Sequence, residues 1–484
     1  MMQRGRQPGC QCGQVQRRTF LADIGMGFTG MALASMLAGE PRAGAAEEPW
    51  RPPSGEPHHP PRAKNVIFLH MTGAPSQFDL FDHKPMLQKY DGKPAPNEMV
   101  EGQRFAFLRG HPNIIGTPYA FDRYGESGME FSDRLPHMAK IADRFTKIRS
   151  LHTEEFNHAP AQLLMHTGFP RFGRPSFGSW VTYGLGSENS DLPMYVVMVS
   201  GGLVPGGGSA LWGSGFLPSR YDGTELRSEG DPVLYLSDPP GMDRTDRRRI
   251  LDAIRDLNEE QFRQAKDPEI QSRISQYELA YRMQTSVPEL TDFSKESQST
   301  LDAYGAKPGD GTFASNCLMA RRLVERGVRF VELFDSDWDH HTLLYQKLPG
   351  KCREVDQPVA ALIKDLEERG LLDETIVVFA GEFGRTPMVQ TDSGDGVLGA
   401  PGRDHHRDAF TVLVAGGGMK AGLVYGSTDD FGFSITENPV HVHDLQATLL
   451  HLLGVDHERL TYFFKGREFR LTDVAGEVVP ALMS

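Results

Sequence analysis

Short, almost uniformly apolar runs alternate with helix-like segments along most of this chain, and this alternation restricts the possible folds more than any other feature. The apolar runs are four to seven residues long and occupy positions 66–69, 195–199, 328–334, 375–380 and 410–415. Segments with helical spacing lie at 133–145, 159–166, 315–326, 355–369 and 444–453. Runs that are apolar throughout are typical of strands covered by helices on both faces. The pattern therefore predicts an α/β fold with three α/β/α layers and a mostly parallel central sheet.

The length and the net charge of the chain restrict its possible domain organisation and its possible binding partners. The chain of 484 residues suits one large α/β core that carries an insertion, or two modules. Residues 243–283 are dense in charged residues and Gln and have apolar residues at helical spacing, which predicts a helical insertion around 243–283 with a solvated face. The 64 acidic residues outnumber 51 basic ones, giving a formal net charge of -13. Because this surplus repels phosphate backbones, we expect no nucleic acid partner.

The N-terminal residues have the features of an export signal. Arg17-Arg18-Thr19-Phe20-Leu21 is a twin-arginine pair followed by a Gly-, Ala- and Met-rich run, and Ala43-Gly44-Ala45 offers the small residues that signal peptidase needs. An amphipathic N-terminal helix is the alternative. The run contains Asp23 and several Gly, so we expect no stable membrane span. The prediction is a Tat signal peptide at 1–45, a Pro-rich linker at 46–64 and an α/β domain at 65–484, with the Tat translocon as a partner and a periplasmic or secreted location.

Polar residues collect at the ends of the apolar runs. There are five such clusters, at positions 70–79, 152–158, 335–341, 381–387 and 402–408. Because parallel strands gather ligands at their carboxyl ends, we expect several clusters to meet along one edge of the sheet. Carboxylates with imidazoles suit a divalent cation, and the mutual repulsion of the acids requires a cation or an arginine. For any single His-His pair, a surface or hydrogen-bonded pair is the alternative.

Two further features allow alternative interpretations. Arg385 either clamps a sulfate or phosphate group with its planar guanidinium or forms an ion pair with Glu382 or a nearby Asp. Cys317 and Cys352 are the two cysteines that remain after removal of the signal. They either form a disulfide in an oxidising compartment or stay as buried thiols.

Four segments of the chain carry a resemblance to a known family. They are Asn65-Val66-Ile67-Phe68-Leu69, Gly381-Glu382-Phe383-Gly384-Arg385-Thr386-Pro387, Gly402-Arg403-Asp404-His405 and Asp444-Leu445-Gln446-Ala447-Thr448-Leu449-Leu450. With the signal, they resemble the Tat-exported bacterial family of unknown function 1501, which is abundant in planctomycete-type bacteria. The resemblance covers essentially the whole chain. It implies a sulfatase-like fold of the alkaline phosphatase superfamily.

The resemblance also implies a set of site residues. It implies that Asp339, His341, Glu382 and His405 hold a divalent metal ion, which is Ca, Mg, Mn or Zn. Counting back from Thr167-Gly168 puts Asn157 or His158 at the position of the sulfatase nucleophile, so the formylglycine precursor is missing. Gln162 replaces the arginine of the sulfatase motif, and the first strand ends without the paired metal-binding Asp. These departures put formylglycine chemistry and a two-metal site in doubt.

Two functions of different class follow. In the first, the protein is a metal-dependent hydrolase of small-molecule or polysaccharide sulfate or phosphate esters. Its catalytic residues would be His158 or Asn157, as nucleophile or general acid–base, and Arg385, which would balance charge in the transition state. In the second, a sulfatase-like fold has lost hydrolysis and serves as an exported binding or assembly protein. The missing nucleophile favours the second function, whereas burying the acid and imidazole groups without a ligand would be costly.

Overall fold

The computed structural model describes residues 55–227, 232–233, 241–307, 309–392 and 398–484. The signal predicted at 1–45 and residues 46–54 of the predicted linker lie outside the described residues. Within the described part, no helix is both long enough and apolar enough to cross a bilayer.

The strands form one large sheet and several hairpins. In chain order they are β1 (Asn65–Met71), β2 (Phe121–Tyr124), β3 (Met129–Ser132), β4 (Phe145–His152), β5 (Tyr195–Ser200), β6 (Thr224–Glu225), β7 (Phe330–Asp335), β8 (Thr375–Ala380), β9 (Gly384–Asp392), β10 (Leu398–His406), β11 (Phe410–Ala415), β12 (Val424–Tyr425), β13 (Ser427–Thr428), β14 (Ile435–Glu437), β15 (Val440–His441), β16 (Tyr462–Phe464) and β17 (Arg467–Phe469). The large sheet has the order β12-β4-β11-β8-β1-β7-β5-β6, and β15 also pairs with β4. β11 is antiparallel to its neighbours β4 and β8, whereas the other pairs of this sheet are parallel.

The helices lie on both faces of this sheet. In chain order they are α1 (Gln77–Leu80), α2 (Pro85–Lys89), α3 (Pro136–Ala139), α4 (His158–Thr167), α5 (Phe177–Leu185), α6 (Arg244–Ala265), α7 (Pro268–Thr291), α8 (Gln298–Tyr304), α9 (Phe313–Glu325), α10 (Leu344–Glu368) and α11 (Val442–Leu452).

Alternate residues of β1 show how the layers form. Successive strand side chains point to opposite faces. Leu69 packs in the main core with Leu318 of α9 and Leu362 of α10. Phe68 points to the other face, where its ring centroid lies 5.1 Å from that of His166 in α4. The central strand is therefore covered on both sides, and the predicted three-layer α/β/α fold with a mostly parallel sheet is confirmed.

All five predicted apolar runs are strands of the large sheet, namely β1, β5, β7, β8 and β11. The strand β4 of the large sheet was not predicted. The helix predicted at 133–145 is wrong for most of its length. That segment contains only the short α3 and a 3₁₀ turn, Ala142–Arg144, and the chain enters β4 at Phe145. β4 contains Thr146, Lys147 and Ser150, which are buried although they are polar. Polar residues on both faces hide the apolar alternation by which a strand is identified.

Two other segments that were predicted to be helical are helices in the structure. α10 begins at Leu344, well before the predicted start at 355, and contains Pro349 and Pro358. Proline inside a helix removes a hydrogen bond, so the sequence alone favours a later start. Helices α6 and α7 occupy the residues predicted to form the charged insertion.

The described part of the Pro-rich segment lies along the domain. The backbone N–H of His58 donates to the carbonyl oxygen of Gly454 (2.8 Å). The backbone N–H of Lys64 donates to the backbone carbonyl oxygen of Glu374 (2.8 Å). The cysteines Cys317 and Cys352 are both free and buried. Of the two alternatives for this pair, the structure has the buried thiols.

Candidate metal centre

The polar clusters meet at one edge of the large sheet, where the parallel strands β1, β4, β7 and β8 end and the antiparallel β11 begins. The loop after β7 carries Asp339 and His341, and α4 begins with His158 soon after β4. His405 comes from the antiparallel hairpin of β9 and β10, which lies in the chain between β8 and β11. This edge is where ligands bind in open α/β sheets.

Four side chains bring their ligand atoms together here. Each of His158, Asp339, His341 and His405 offers one atom, and these atoms all lie within 4.8 Å of one another. The Nε2 atoms of His341 and His405 lie 3.0 Å and 3.3 Å from Asp339 Oδ1. His158 Nε2 lies 3.1 Å from Asp339 Oδ2. Three imidazoles and one carboxylate therefore converge on a space small enough for a single ion.

Hydrogen bonds at Nδ1 fix the orientation of all three rings. His158 Nδ1 lies 2.7 Å from Glu382 Oε1, and His405 Nδ1 lies 2.7 Å from the carbonyl oxygen of Phe156. His341 Nδ1 lies 2.7 Å from Gln390 Oε1. All three partners are acceptors, so each ring donates from Nδ1 and, when neutral, has its Nε2 lone pair facing the centre. This pattern of hydrogen bonds is the usual support for metal-binding histidines.

Arg385 holds Asp339 in place and is not free to contact a substrate. Its side chain is buried, with Nε donating to the carbonyl oxygen of Ala74 (3.0 Å) and Nη1 to that of Arg403 (3.1 Å). Nη2 donates to the carbonyl oxygen of Gly73 and to Asp339 Oδ1, the latter at 2.5 Å. The guanidinium thus ties the carboxylate to the end of β1. Of the two alternatives for Arg385, the structure favours an ion pair, with Asp339 as its partner.

The pKa values of the site follow from burial and charge. Burial would raise the pKa of Asp339, but the Arg385 guanidinium and hydrogen bonds from the three histidines outweigh it and hold that pKa far below its usual range. Burial opposes protonation of His158, yet the hydrogen bonds to Asp339 and Glu382 raise its pKa to about 9. Burial lowers the pKa of His405 to about 4, with repulsion from Arg385 adding to the effect.

Glu382 lies behind His158 and outside the group of four. Its Oε1 accepts hydrogen bonds from the backbone N–H of Gly73 (3.0 Å) and from Gln162 Nε2 (3.0 Å), in addition to the bond with His158. Burial would raise its pKa, but hydrogen bonds from His158 and His70 lower it well below the usual value. Glu382 is therefore an ionised acceptor that orients a histidine of the centre.

The structure brings together six of the seven residues proposed from the sequence. Asp339, His341, His405 and His158 converge, and Glu382 and Arg385 contact members of this group. Asn157 is the N-cap residue of α4, is exposed and makes no side-chain capping hydrogen bond. The sequence grouped Glu382 with the metal ligands and His158 with the catalytic residues, whereas the geometry exchanges their positions.

The neighbouring histidines of each pair face elsewhere. His406 Nε2 lies 2.7 Å from the carbonyl oxygen of Phe433. His340 is not among the residues whose ligand atoms converge, and burial lowers its pKa to about 3. Only one member of each His-His pair therefore takes part in the centre.

Two of the hydrogen-bond acceptors that orient the histidine rings were not predicted from the sequence. Gln390 lies in β9, and its own Nε2 donates to the carbonyl oxygen of Asp392 (2.7 Å), which leaves Oε1 free to accept from His341. The partner of His405 is a backbone carbonyl, that of Phe156. A glutamine in a polar strand and a backbone atom carry no signal of their own in a sequence.

Solved structures with some similarity to this chain include sulfatases and phosphatases. The PsFucS1 sulfatase from Pseudoalteromonas sp. has 14% sequence identity and a TM-score of 0.36, with 86% of this chain and 72% of that chain covered. The phosphonate monoester hydrolase SpPMH from Silicibacter pomeroyi has 13% sequence identity and a TM-score of 0.32, with 81% of this chain and 73% of that chain covered. The alkaline phosphatase from the Antarctic bacterium TAB5 has 12% sequence identity and a TM-score of 0.29, with 74% of this chain and 92% of that chain covered. Similarity at this level transfers no residue role, metal or substrate.

Sequence comparison gives a more specific result. No curated protein matches the chain significantly. The model of the family described as protein of unknown function (DUF1501) matches residues 63–483, which is nearly the whole described domain. The chain belongs to the DUF1501 family.

Proposed function

We propose that this protein is a metal-dependent hydrolase of sulfate or phosphate esters that works without formylglycine. The observation that carries the proposal is the convergence of three imidazole Nε2 atoms and the Asp339 carboxylate within 4.8 Å of one another. They meet at the edge of the sheet where α/β enzymes bind their ligands.

The residues at this position fit a metal ion. The Nε2 atoms of His158, His341 and His405 all face the Asp339 carboxylate, at 3.1, 3.0 and 3.3 Å. A metal ion between these groups would bind the three nitrogens together with the carboxylate. Three nitrogen donors and one carboxylate favour the borderline ion Zn²⁺, and after it the harder Mn²⁺, over Ca²⁺ and Mg²⁺, which prefer all-oxygen sites.

The charges around the centre suit an anionic ester. Asp339 and Glu382 are ionised, Arg385 offsets one of them, and a divalent ion would leave the group with a net positive charge. When bound, that ion supplies Lewis-acid chemistry, which polarises an ester oxygen and makes water more acidic. His341 and His405 are buried, whereas Asp339 is partly exposed. A positive site that is partly shielded in this way attracts a sulfate or phosphate group more strongly than one fully exposed to water.

The start of α4 argues for water as the attacking group. This position carries Asn157 and His158, where sulfatases have their nucleophile. Both ring nitrogens of His158 face carboxylates, Nδ1 at 2.7 Å from Glu382 and Nε2 at 3.1 Å from Asp339. The ring is thus better placed as a ligand held by Glu382 than as a nucleophile. Arg385 keeps the Asp339 carboxylate fixed while substrate binds.

The test is metal analysis of the purified protein followed by hydrolysis assays with aryl sulfate and aryl phosphate. We expect about one Zn²⁺ or Mn²⁺ per chain and turnover that is lost on chelation. His405→Ala and His341→Ala should lose both metal and turnover. The chain offers matched controls, because His406→Ala and His340→Ala remove the adjacent histidine of each pair and should keep both.

Two other outcomes would count against this proposal. A protein that binds no ion from a panel of divalent cations would refute the metal centre. A protein that binds one ion but hydrolyses neither ester would favour the second function, an exported binding or assembly protein.

We also propose that the protein is exported through the Tat pathway to the periplasm or beyond. The twin arginines, the apolar run and the small residues at 43–45 support this location. The Tat pathway would let the folded chain cross the membrane with its metal in place, which is consistent with a centre that includes two buried histidines, His341 and His405.

A further inference from the structure

Four buried side chains continue from Glu382 under helix α4, and the proposed reaction does not use them. They are His70 in β1, His166 in the last turn of α4, Glu332 in β7 and Tyr195 in β5. Each is at most 1% exposed. They lie on the face of the sheet opposite the main core.

The polar atoms of these residues form one continuous chain. Tyr195 donates its hydroxyl hydrogen to Glu332 Oε2. Glu332 Oε1 lies 2.6 Å from His166 Nδ1, and His166 Nε2 lies 3.0 Å from His70 Nδ1. His70 Nε2 lies 3.4 Å from Glu382 Oε2. The chain therefore joins a carboxylate in the middle of the sheet to the carboxylate that orients His158.

The contacts of this chain limit how its side chains can be oriented. Each contact needs a hydrogen atom between its two polar atoms, since two acceptors facing each other repel. The contact of His70 Nε2 with Glu382 Oε2 is the longest of the four, at 3.4 Å, so the contact between His70 and Glu382 depends on how His166 holds the His70 ring.

The surroundings of the chain are apolar. The ring centroids of Phe68 and Phe334 lie 5.1 Å from that of His166, and Phe334 lies 5.4 Å from His70. Charges in such a position cost free energy, and apolar residues of similar volume are often as stabilising as a buried ion pair. A purely structural role therefore does not account for four polar side chains in the centre of this layer.

We propose that His70, His166, Glu332 and Tyr195 form a positioning relay that holds Glu382 in place, so that Glu382 aims the Nε2 atom of His158 at the metal centre. The inference rests on the metal centre of the proposed function. These four are positioning residues, because none of them contacts the four ligands. The relay acts through its contacts: Glu332 holds the ring of His166, and His166 holds the ring of His70 against Glu382.

The experiment measures Zn²⁺ affinity of the purified full chain by competition with a chelating dye, without any substrate. In Glu332→Gln a neutral amide replaces the carboxylate, which weakens the contact with His166 and loosens the rings of His166 and His70. We expect Zn²⁺ affinity to fall by about 10-fold, the lower end of the usual effect of removing support behind a ligand, because Glu332 acts through two further residues. Tyr195→Phe keeps the contact between Glu332 and His166 and should lose much less.

Two controls separate this effect from a general loss of stability. Asp356→Asn removes a buried carboxylate on the other side of the sheet, which accepts hydrogen bonds from the backbone N–H of His137 and Met138. Tyr304→Phe removes a buried hydroxyl that donates to Asp365 (3.0 Å). Both variants should unfold at lower temperature and keep the unaltered Zn²⁺ affinity.

The outcomes distinguish the relay from the function on which it rests. If the unaltered protein binds no Zn²⁺, the proposed function fails. If it binds Zn²⁺ and folded Glu332→Gln binds equally tightly, only the relay is refuted. The relay is also refuted if Asp356→Asn weakens Zn²⁺ binding as much as Glu332→Gln. Should Glu332→Gln fail to fold, His70→Gln, which removes the ring that contacts Glu382, decides by the same comparison.

Discussion

Lys147 is a buried lysine in the middle of β4 whose ammonium group bonds to backbone oxygens. Nζ donates to the carbonyl oxygens of Phe81 (3.0 Å) and Glu130, and it lies 4.3 Å from the ring centroid of Phe131. Burial lowers the pKa of Lys147 to about 7. At this site the folded protein therefore favours the uncharged amine.

This pKa leads to a pH-dependent prediction for stability. Between pH 7 and the usual lysine pKa of 10.5, the unfolded chain binds a proton at Lys147 that the folded chain does not. Stability should therefore rise with pH across this window, by at most about 1.4 kcal/mol per pH unit, and the contribution should be flat below pH 7. Lys147→Met removes this slope. Urea unfolding of both proteins at several pH values between 6 and 9.5 measures the difference.

The exposed Lys364 provides the control for that experiment. The free-energy difference between Lys147→Met and the unaltered protein should be largest near neutral pH and should shrink as the pH rises. Lys364→Met should show no such trend. A difference that stays constant with pH would mean that Lys147 is charged in the folded protein.

The β9–β10 hairpin is the element that completes the metal centre. It carries Arg385 and Gln390 on one strand and Arg403 and His405 on the other. Arg403 is buried and pairs with Asp79 at 2.8 Å, which fastens the hairpin to the chain after β1. The hairpin must lie close to the loop after β7 for His405 to reach Asp339.

Gly402 marks the point of closest approach between these elements. A Cβ atom there would lie 2.3 Å from the carbonyl oxygen of His340 and from the backbone carbon of His341. Gly402→Ala should push the hairpin away, cost about 1–3 kcal/mol of stability and weaken Zn²⁺ binding. Denaturant unfolding and dye competition measure the two effects. In Gly399→Ala the new Cβ meets only the side chain of Thr342 at 3.2 Å, so its effects should be smaller. Equal effects in both variants would contradict the close approach.

At the scale of the whole molecule, the order of folding, metal binding and export would link the proposed metal centre to the proposed export signal. The centre is assembled from segments far apart in the chain, at positions 158, 339, 341 and 405, so metal binding requires the folded domain. The Tat pathway accepts folded proteins, and a Tat signal would let this domain acquire its ion before it leaves the cytoplasm.

The export proposal predicts a specific dependence on the arginine pair. Replacing Arg17 and Arg18 together by Lys should leave the full-length precursor in the cytoplasm, because the charge stays but the twin-arginine motif is lost. Cell fractionation with immunoblotting measures the location. Replacing Arg4 and Arg6 by Lys alters two other arginines of the same region and should leave export intact. Periplasmic protein in the first variant would refute the Tat assignment.

The sequence alone determined the fold class and the edge of the sheet at which the polar clusters meet. Apolar runs report burial locally, since each strand must be apolar wherever helices cover it, and five of these runs became strands of the large sheet. The direction of β11 was not available from such a run, because the same apolar residues suit either direction. β4 was missed because buried Thr146, Lys147 and Ser150 are stabilised by distant partners.

Only the tertiary structure decided which polar atoms meet. Successive residues of an extended chain point to opposite sides. Although His405 and His406 are neighbours at the end of one strand, only His405 therefore faces the candidate metal centre. The exchange of Glu382 and His158 has the same origin: the sequence supplies residue types near the sheet edge, whereas hydrogen bonds between remote segments set which nitrogen or oxygen faces the centre. Residue chemistry is local, but the direction of a side chain depends on contacts made across the whole molecule.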